Sequence, residues 1–193
     1  MSRTDPNLFL TFDDGPIPDV TPQILSILKK FNVKATFFCI GENVKKYPEI
    51  FRQILEDGHA IGNHTYNHLN GWKTSADDYL QNVLKCDEIL KSEIRNPKSE
   101  IVNLFRPPYG RIKLSQIKKL RKNFRVIMWD VLSEDYNKEI SGEQCFQNVA
   151  SSASNGSIIV FHDSEKARER VLYALPKVIE HFSQMNFSFK AIS

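Results

Sequence analysis

Cysteine is scarce in this chain, and the scarcity excludes chemistry. Cys39, Cys86 and Cys145 are the only three, they lie far apart, and none forms a CxxC pair. A disulfide framework and a thiolate metal site are therefore not expected, and buried free thiols are. No apolar run approaches the roughly 20 residues that cross a bilayer, so no membrane partner is expected. The opening Met1-Ser2-Arg3-Thr4-Asp5-Pro6 lacks the apolar centre of a secretory leader, which fits a cytoplasmic chain or a trimmed form of an exported one. Charge of one sign is missing as well. A net charge of +3 is too small and dispersed for a nucleic-acid partner, and the cluster Lys113, Lys118, Lys119, Arg121, Lys122 and Arg125 reads as a solvated helix face. Repeats, low-complexity segments and linker-like stretches are absent too, so residues 1–193 are expected to form a single domain, of unknown oligomeric state.

What is present is an ordinary globular composition, 41% hydrophobic and 25% charged, on 193 residues, enough to bury a full core. Leu8 to Phe12 has the apolar, aromatic content of a buried strand, and Gly15-Pro16 stops it. Apolar runs closed by turn residues recur at Ala35–Ile40, His59–Asn63, Asn103–Arg106, Arg125–Val131, Ser157–Phe161 and Phe187–Ile192. Helical spacing recurs between them, at Pro22–Phe31 behind a Thr21 cap, Tyr47–Glu56, Ser75–Lys91, Leu114–Leu120, Gly142–Ser152 and Arg168–Phe182, the last with a kink or break expected at Pro176. Alternating strands and helices with short connections imply parallel β/α packing.

The polar residues then fall at one place in each unit. Asp13 and Asp14 follow the first strand, His64 the third, Arg106 the fourth, Asp130 and Asp135 the fifth and His162 the sixth. That is the carboxyl edge of the sheet, the active-site face of a β/α barrel.

Adjacent carboxylates repel, and Asp13-Asp14 is either a surface turn or a pair with two different partners. His64-Thr65-Tyr66-Asn67-His68 spaces two imidazoles four apart, which on one helical turn brings both to one face, and Asp14 can complete a set of two nitrogens and one oxygen with open positions. Such a set suits zinc or another divalent first-row ion, Co2+, Mn2+ or Ni2+ among them. Thr65 can orient a ligand or bond its own backbone. Asp13 is then free to take a proton from water activated at the ion, with Arg106 as its partner; the alternative is an Arg anchoring the Pro107-Pro108 turn. Those prolines aim the Tyr109 amide, a candidate oxyanion donor. His162 reads as an acid tuned by Asp135 or Asp130, as a third nitrogen ligand, or as a satisfied core histidine. His59 and His181 lack such company.

Thr11-Phe12-Asp13-Asp14-Gly15-Pro16, His64 to His68, Arg106-Pro107-Pro108-Tyr109-Gly110, Trp129 to Tyr136 and Ile158 to His162, in that order, resemble the polysaccharide deacetylase family, the NodB-homology domain of carbohydrate esterase family four. The resemblance runs over residues 11–162. It implies a distorted seven-stranded (β/α) barrel of parallel strands with outer helices, a divalent metal, usually zinc, and an enzyme that hydrolyses N-acetyl or O-acetyl groups of a glycan such as chitin oligomers or peptidoglycan. It implies Asp13 as base, Asp14, His64 and His68 as metal ligands, Arg106 as the base's partner, His162 as acid and Asp135 as the carboxylate that tunes it. Tyr136 stands where a Trp is commoner, still an aromatic wall. Tyr109 and Trp72 are candidate sugar contacts, and Trp72 reads equally as a packed residue. A hydrolase of a small amide and a non-catalytic glycan-binding module are the alternatives.

Overall fold

The computed structural model describes residues 6–94 and 103–193. Within them the strands are β1 (Asn7–Asp13), β2 (Thr36–Cys39), β3 (Ala60–Asn63), β4 (Leu104–Phe105), β5 (Arg125–Val126), β6 (Val131–Leu132), β7 (Ile158–His162) and β8 (Ser188–Phe189). The helices are α1 (Thr21–Lys30), α2 (Gly41–Lys46), α3 (Pro48–Glu56), α4 (Ala76–Glu93), α5 (Leu114–Leu120), α6 (Gly142–Ala150) and α7 (Arg168–Gln184). Every strand pairing is parallel, in the order β5-β4-β3-β2-β1-β7-β6, with β8 added at the start of β1.

The sheet must curl. Its two edges, β5 and β6, are consecutive in the chain and joined only by residues 127–130. The five Cα steps from Val126 to Val131 reach at most about 18 Å, whereas seven flat strands would hold their edges roughly 29 Å apart. The expected fifth strand, Arg125–Val131, is thus corrected to two short strands on opposite edges, with the intervening segment spanning the gap of an open barrel. The expected (β/α) barrel of parallel strands is otherwise what forms, and the split accounts for eight strands in place of seven.

Period-two alternation sorts each strand's side chains between two compartments. Leu8, Leu10 and Phe12 of β1, Phe37 and Cys39 of β2 and Ile159 and Phe161 of β7 face outward into the main core, where Ile24, Leu25 and Leu28 of α1 and Val171, Leu175 and Val178 of α7 cover them. The other face looks into the barrel, where Phe9, Phe38, Leu104, Ile127 and Ile192 form a smaller cluster. Phe38 lies there only because β3 presents Gly62 beside it: a Cβ at Gly62 would sit 2.3 Å from the Phe38 ring.

Other boundaries moved for local reasons. Val20, not Thr21, caps α1; Thr21 is its first residue, and its hydroxyl is committed to Asp163. Ser75, the expected first residue of its helix, is instead the cap of α4, accepting from Asp78 N–H. Helix α7 runs unbroken through Pro176, because Ala174, Leu175, Val178 and Ile179 around it are fully buried and their packing outweighs one lost backbone bond. The expected strand Phe187–Ile192 pairs only at Ser188–Phe189. The three cysteines are free and buried, as expected. Among the described residues no helix is long and apolar enough to cross a membrane.

Gly62→Ala is expected to destabilise the fold by about 1–3 kcal/mol through overpacking against Phe38, read as a lower urea midpoint. Combining it with Phe38→Leu should cost less than the sum of the two single changes; additive losses would rule out this contact as the cause.

Candidate active site

Strand β1 ends in Asp13, and the chain turns sharply at Asp14, whose φ of 88° is rare for a residue with a Cβ. Neighbours hold the turn in place. Asn43 Nδ2 donates to the Asp14 carbonyl at 2.7 Å, and buried Asp163 accepts from Gly15 N–H at 2.8 Å and from Thr21 Oγ1 at 2.7 Å. A Cβ at Gly15 would fall 1.8 Å from the Asp163 carboxylate, so this approach requires glycine. Burial pushes the Asp163 carboxyl up to about 8 despite those two donors.

The turn sends the two carboxylates to different partners. Asp13 Oδ1 accepts from Arg106 Nη1 at 2.8 Å, while its Oδ2 lies 4.0 Å from His64 Nε2. Asp14 Oδ1 lies 3.2 Å from His68 Nε2 and 3.7 Å from His64 Nε2. His64 Nδ1 lies 2.8 Å from the Arg106 carbonyl oxygen, which can only accept. Nδ1 therefore carries the proton, and the Nε2 lone pair points at the carboxylates, the tautomer a metal requires. Burial holds His64 below its usual pKa and favours that neutral form.

His64 and His68 do not share a helix, as their spacing suggested. They bracket a turn with positive φ at Thr65 (65°) and His68 (58°), closed by Leu69 N–H donating to Thr65 Oγ1 at 3.0 Å. The turn still brings the two ring centroids to 5.2 Å.

Asp14, His64 and His68 can each offer one atom, all within 4.8 Å of one another, and buried Asp14 Oδ1 has no hydrogen-bond donor. An orphaned anionic oxygen beside two imidazole nitrogens fits a divalent cation. Burial raises the Asp14 carboxyl, but the neighbouring imidazoles, His68 first and then His162 and His64, outweigh it and bring it to about 2.

Arg106 is fully buried inside the barrel. Its Nη1 also donates to Thr11 Oγ1 at 2.7 Å, Nε to Ile127 O at 3.4 Å and Nη2 to Met128 O at 3.2 Å, and its guanidinium carbon lies 4.1 Å from the Phe38 ring centroid. It joins β1, β4 and the gap-spanning segment: its side chain pairs with Asp13, and the backbone it anchors is that of Ile127 and Met128 rather than the Pro107-Pro108 turn.

Across the cavity, Asp135 takes both of its His162 contacts itself, accepting from His162 N–H at 2.6 Å and facing Nδ1 at 2.7 Å. Burial lowers His162, but the charge and hydrogen bond of Asp135 outweigh it, and Asp14 and Asp13 add to the rise, to about 9. Asp130 is the carboxylate the structure removes from this group. It precedes β6 and accepts from Ile158 N–H at the start of β7, so it stands at the opposite, amino edge of the sheet. His59 is structural: its Nδ1 accepts from Ala35 N–H at 3.2 Å. His181 packs by Phe146 and Phe182.

The cavity these groups floor has a volume of about 490 Å3, within the range of small-molecule sites. Tyr109 and Trp129 line it, with Tyr136 beside His162 on another wall. Trp72 is not part of the lining; it is 60% exposed on the turn Gly71–Lys73, which excludes the packed reading.

Three contributors were not singled out from sequence. Asp163 adjoins His162 at the same sheet edge, and that position was the available signal. Arg111 and Arg170 carried none. Buried Arg170 donates through Nε to Asp135 O at 2.6 Å and through Nη2 to Lys166 O, tying the Asp135 loop to the start of α7.

A cation-fitting Asp-His-His cluster, a separate buried carboxylate and a carboxylate-backed histidine at the carboxyl edge of an open parallel barrel define a hydrolase-type metal site. The polysaccharide deacetylase family model matches residues 2–124, and the chain belongs to that family. It is 42% identical over 156 residues to a Bacillus cereus peptidoglycan-N-acetylglucosamine deacetylase, covering 80% of this chain and 55% of the relative. A second B. cereus protein of that name is 33% identical over 187 residues, covering 95% and 85%. The chain thus spans about half the length of the first relative and most of the second. The crystal structure of a peptidoglycan N-acetylglucosamine deacetylase in complex with 4-naphthalen-1-yl-N-oxidanyl-benzamide superposes with a TM-score of 0.92 at 36% identity, over 99% of this chain and 88% of that one.

Because the folded state holds the His162 proton more tightly than the unfolded chain does, the Asp135 pair stabilises the fold fully below about pH 6.5, and that contribution is lost as pH rises through about 9. NMR titration of the metal-free protein should find the His162 midpoint near 9. Asp135→Asn should move it below the ordinary histidine value; an unmoved midpoint would exclude Asp135 as the cause.

Proposed function

We propose that the protein is a metal-dependent deacetylase that hydrolyses the N-acetyl group of N-acetylglucosamine units in a glycan of the peptidoglycan type, releasing acetate and leaving a free amino sugar. The observation that carries this reading is the division of the adjacent carboxylates, Asp14 beside two neutral-capable imidazoles and Asp13 bonded to Arg106. The activity of the similar peptidoglycan-N-acetylglucosamine deacetylases supplies the substrate class.

Zinc is the ion proposed for Asp14, His64 and His68, a set of two nitrogens and one oxygen with open positions. When bound there it would polarise the acetyl carbonyl and acidify water. The chain's own groups supply the rest. Arg106 anchors Asp13 by Oδ1, so Oδ2 is the oxygen turned toward His64 and is the atom assigned to take a proton from the attacking water. His162 carries a proton at neutral pH and has Nδ1 committed to Asp135, leaving Nε2 to protonate the departing sugar nitrogen. The Tyr109 amide, at the end of the Pro107-Pro108 turn, is assigned to the developing oxyanion. The balance is one acetamide and one water in, one acetate and one amine out. A non-catalytic binding module needs neither the Asp13 arrangement nor a raised His162, and a closed small-amide pocket is less suited to the exposed Tyr109 beside the cavity.

Asp13→Asn should retain zinc by metal analysis and lose at least about 100-fold in acetate release from N-acetylglucosamine oligomers. Asp14→Asn should bind zinc poorly. Chelation should abolish activity and added zinc restore it. An active Asp13→Asn enzyme would overturn the base assignment. The wild-type rate should fall on the basic side as His162 loses its proton, and Asp135→Asn should move that limb to lower pH.

A further inference from the structure

Among the described residues, two cations line the cavity without a carboxylate partner. Asp13 is matched by Arg106, Asp14 by His64 and His68, and His162 by Asp135. Arg111 and Lys166 also line it, and among the described residues neither has a carboxylate within 4.0 Å. Instead both lie over aromatic rings, Arg111 5.2 Å from the Trp72 ring centroid and 6.0 Å from that of Tyr109, and Lys166 5.5 Å from that of Tyr136.

Arg111 is the better placed of the two. Tyr109 is 59% exposed and Trp72 60% exposed, and the guanidinium between them forms a strip that leads from the cavity, past Tyr109, to a tryptophan outside it. A guanidinium held near ring faces rather than by a carboxylate has N–H donors to offer, and those donors match a carboxylate in the bidentate fork. Exposed aromatic faces in turn suit the apolar faces of sugar rings. The strip is thus equipped for a sugar beyond the cavity, and for one carrying a negative charge.

Resting on the deacetylase reading, we infer that Arg111, walled by Trp72 and Tyr109, is an anion-reading subsite that accepts a carboxylate borne by the sugar adjacent to the one deacetylated. The enzyme is accordingly selective for acidic glycan strands over neutral ones. Arg111 takes no part in bond breaking; it lowers KM for acidic strands.

The test uses the zinc-loaded enzyme and three probes of equal length: a neutral N-acetylglucosamine oligomer, a strand alternating N-acetylglucosamine with N-acetylmuramic acid whose lactyl carboxylates are free, and the same strand with those carboxylates converted to methylamides. Wild type should show a kcat/KM for the carboxylate strand about tenfold above that for its methylamide. Arg111→Gln should cut the acidic-to-neutral ratio by about tenfold, through KM, and Arg111→Lys should recover only part of it. Calorimetric binding of the two alternating strands should give the same ratios, reduced by added salt. Equal losses on acidic and neutral probes, or no wild-type preference between carboxylate and methylamide, would overturn the subsite. If no probe releases acetate, the deacetylase reading fails on its own, and the binding ratios still decide Arg111.

Discussion

The buried pair of Arg106 and Asp13 is the interaction on which the site and its scaffold both depend. A guanidinium with no exposed surface is costly to desolvate, and it is tolerable only when its donors are used. Here they reach Asp13, Thr11 and the carbonyls of Ile127 and Met128, with the Phe38 ring against one face. The carbonyls matter as much as the carboxylate. They belong to the segment that runs between the two open edges of the sheet, so the charge that holds the proposed base also closes the barrel. The backbone oxygen of the same residue fixes the His64 tautomer. One residue therefore serves the base, a proposed metal ligand and the curl of the sheet.

Around that centre, a strained turn is held by groups that take no part in the chemistry. Asp14 keeps its unfavourable backbone angle because Asn43 takes its carbonyl while Asp163 and Thr21 secure Gly15 next to it. Strain at a residue assigned a functional role persists where its surroundings over-determine it. The opposite wall follows the same logic: Arg170 fixes the backbone of Asp135, and Asp135 fixes His162. Asp13, Asp14, His64 and His162 thus each have a neighbour that aims them.

The motifs carried much of this site in advance. The Asp13-Asp14 pair, His64 and His68, Arg106 and His162 each stand where an apolar run ends, and parallel β/α order brings such ends to one edge. Where the reading failed, the missing information was pairing. Arg125–Val131 has the composition of one strand, and nothing local says that its ends join opposite edges or that Arg106 takes two carbonyls from its middle. Asp130 was misassigned for that reason, since the break turns it from the residue after a strand into the residue before one. The histidine pair was close for a different reason from the one its spacing gave, a turn in place of a helix.

By itself, then, the sequence determined the order of strands and helices, the family, and the chemical types gathered at the carboxyl edge, because these follow from periodicity and from residues at strand ends. Only the tertiary structure decided which carboxylate pairs with which base, that Asp135 and not Asp130 backs His162, that Trp72 stands outside the cavity, and that Arg111 bridges it to Tyr109. Those are distances between side chains on different elements, and they exist only once the sheet has curled around Arg106.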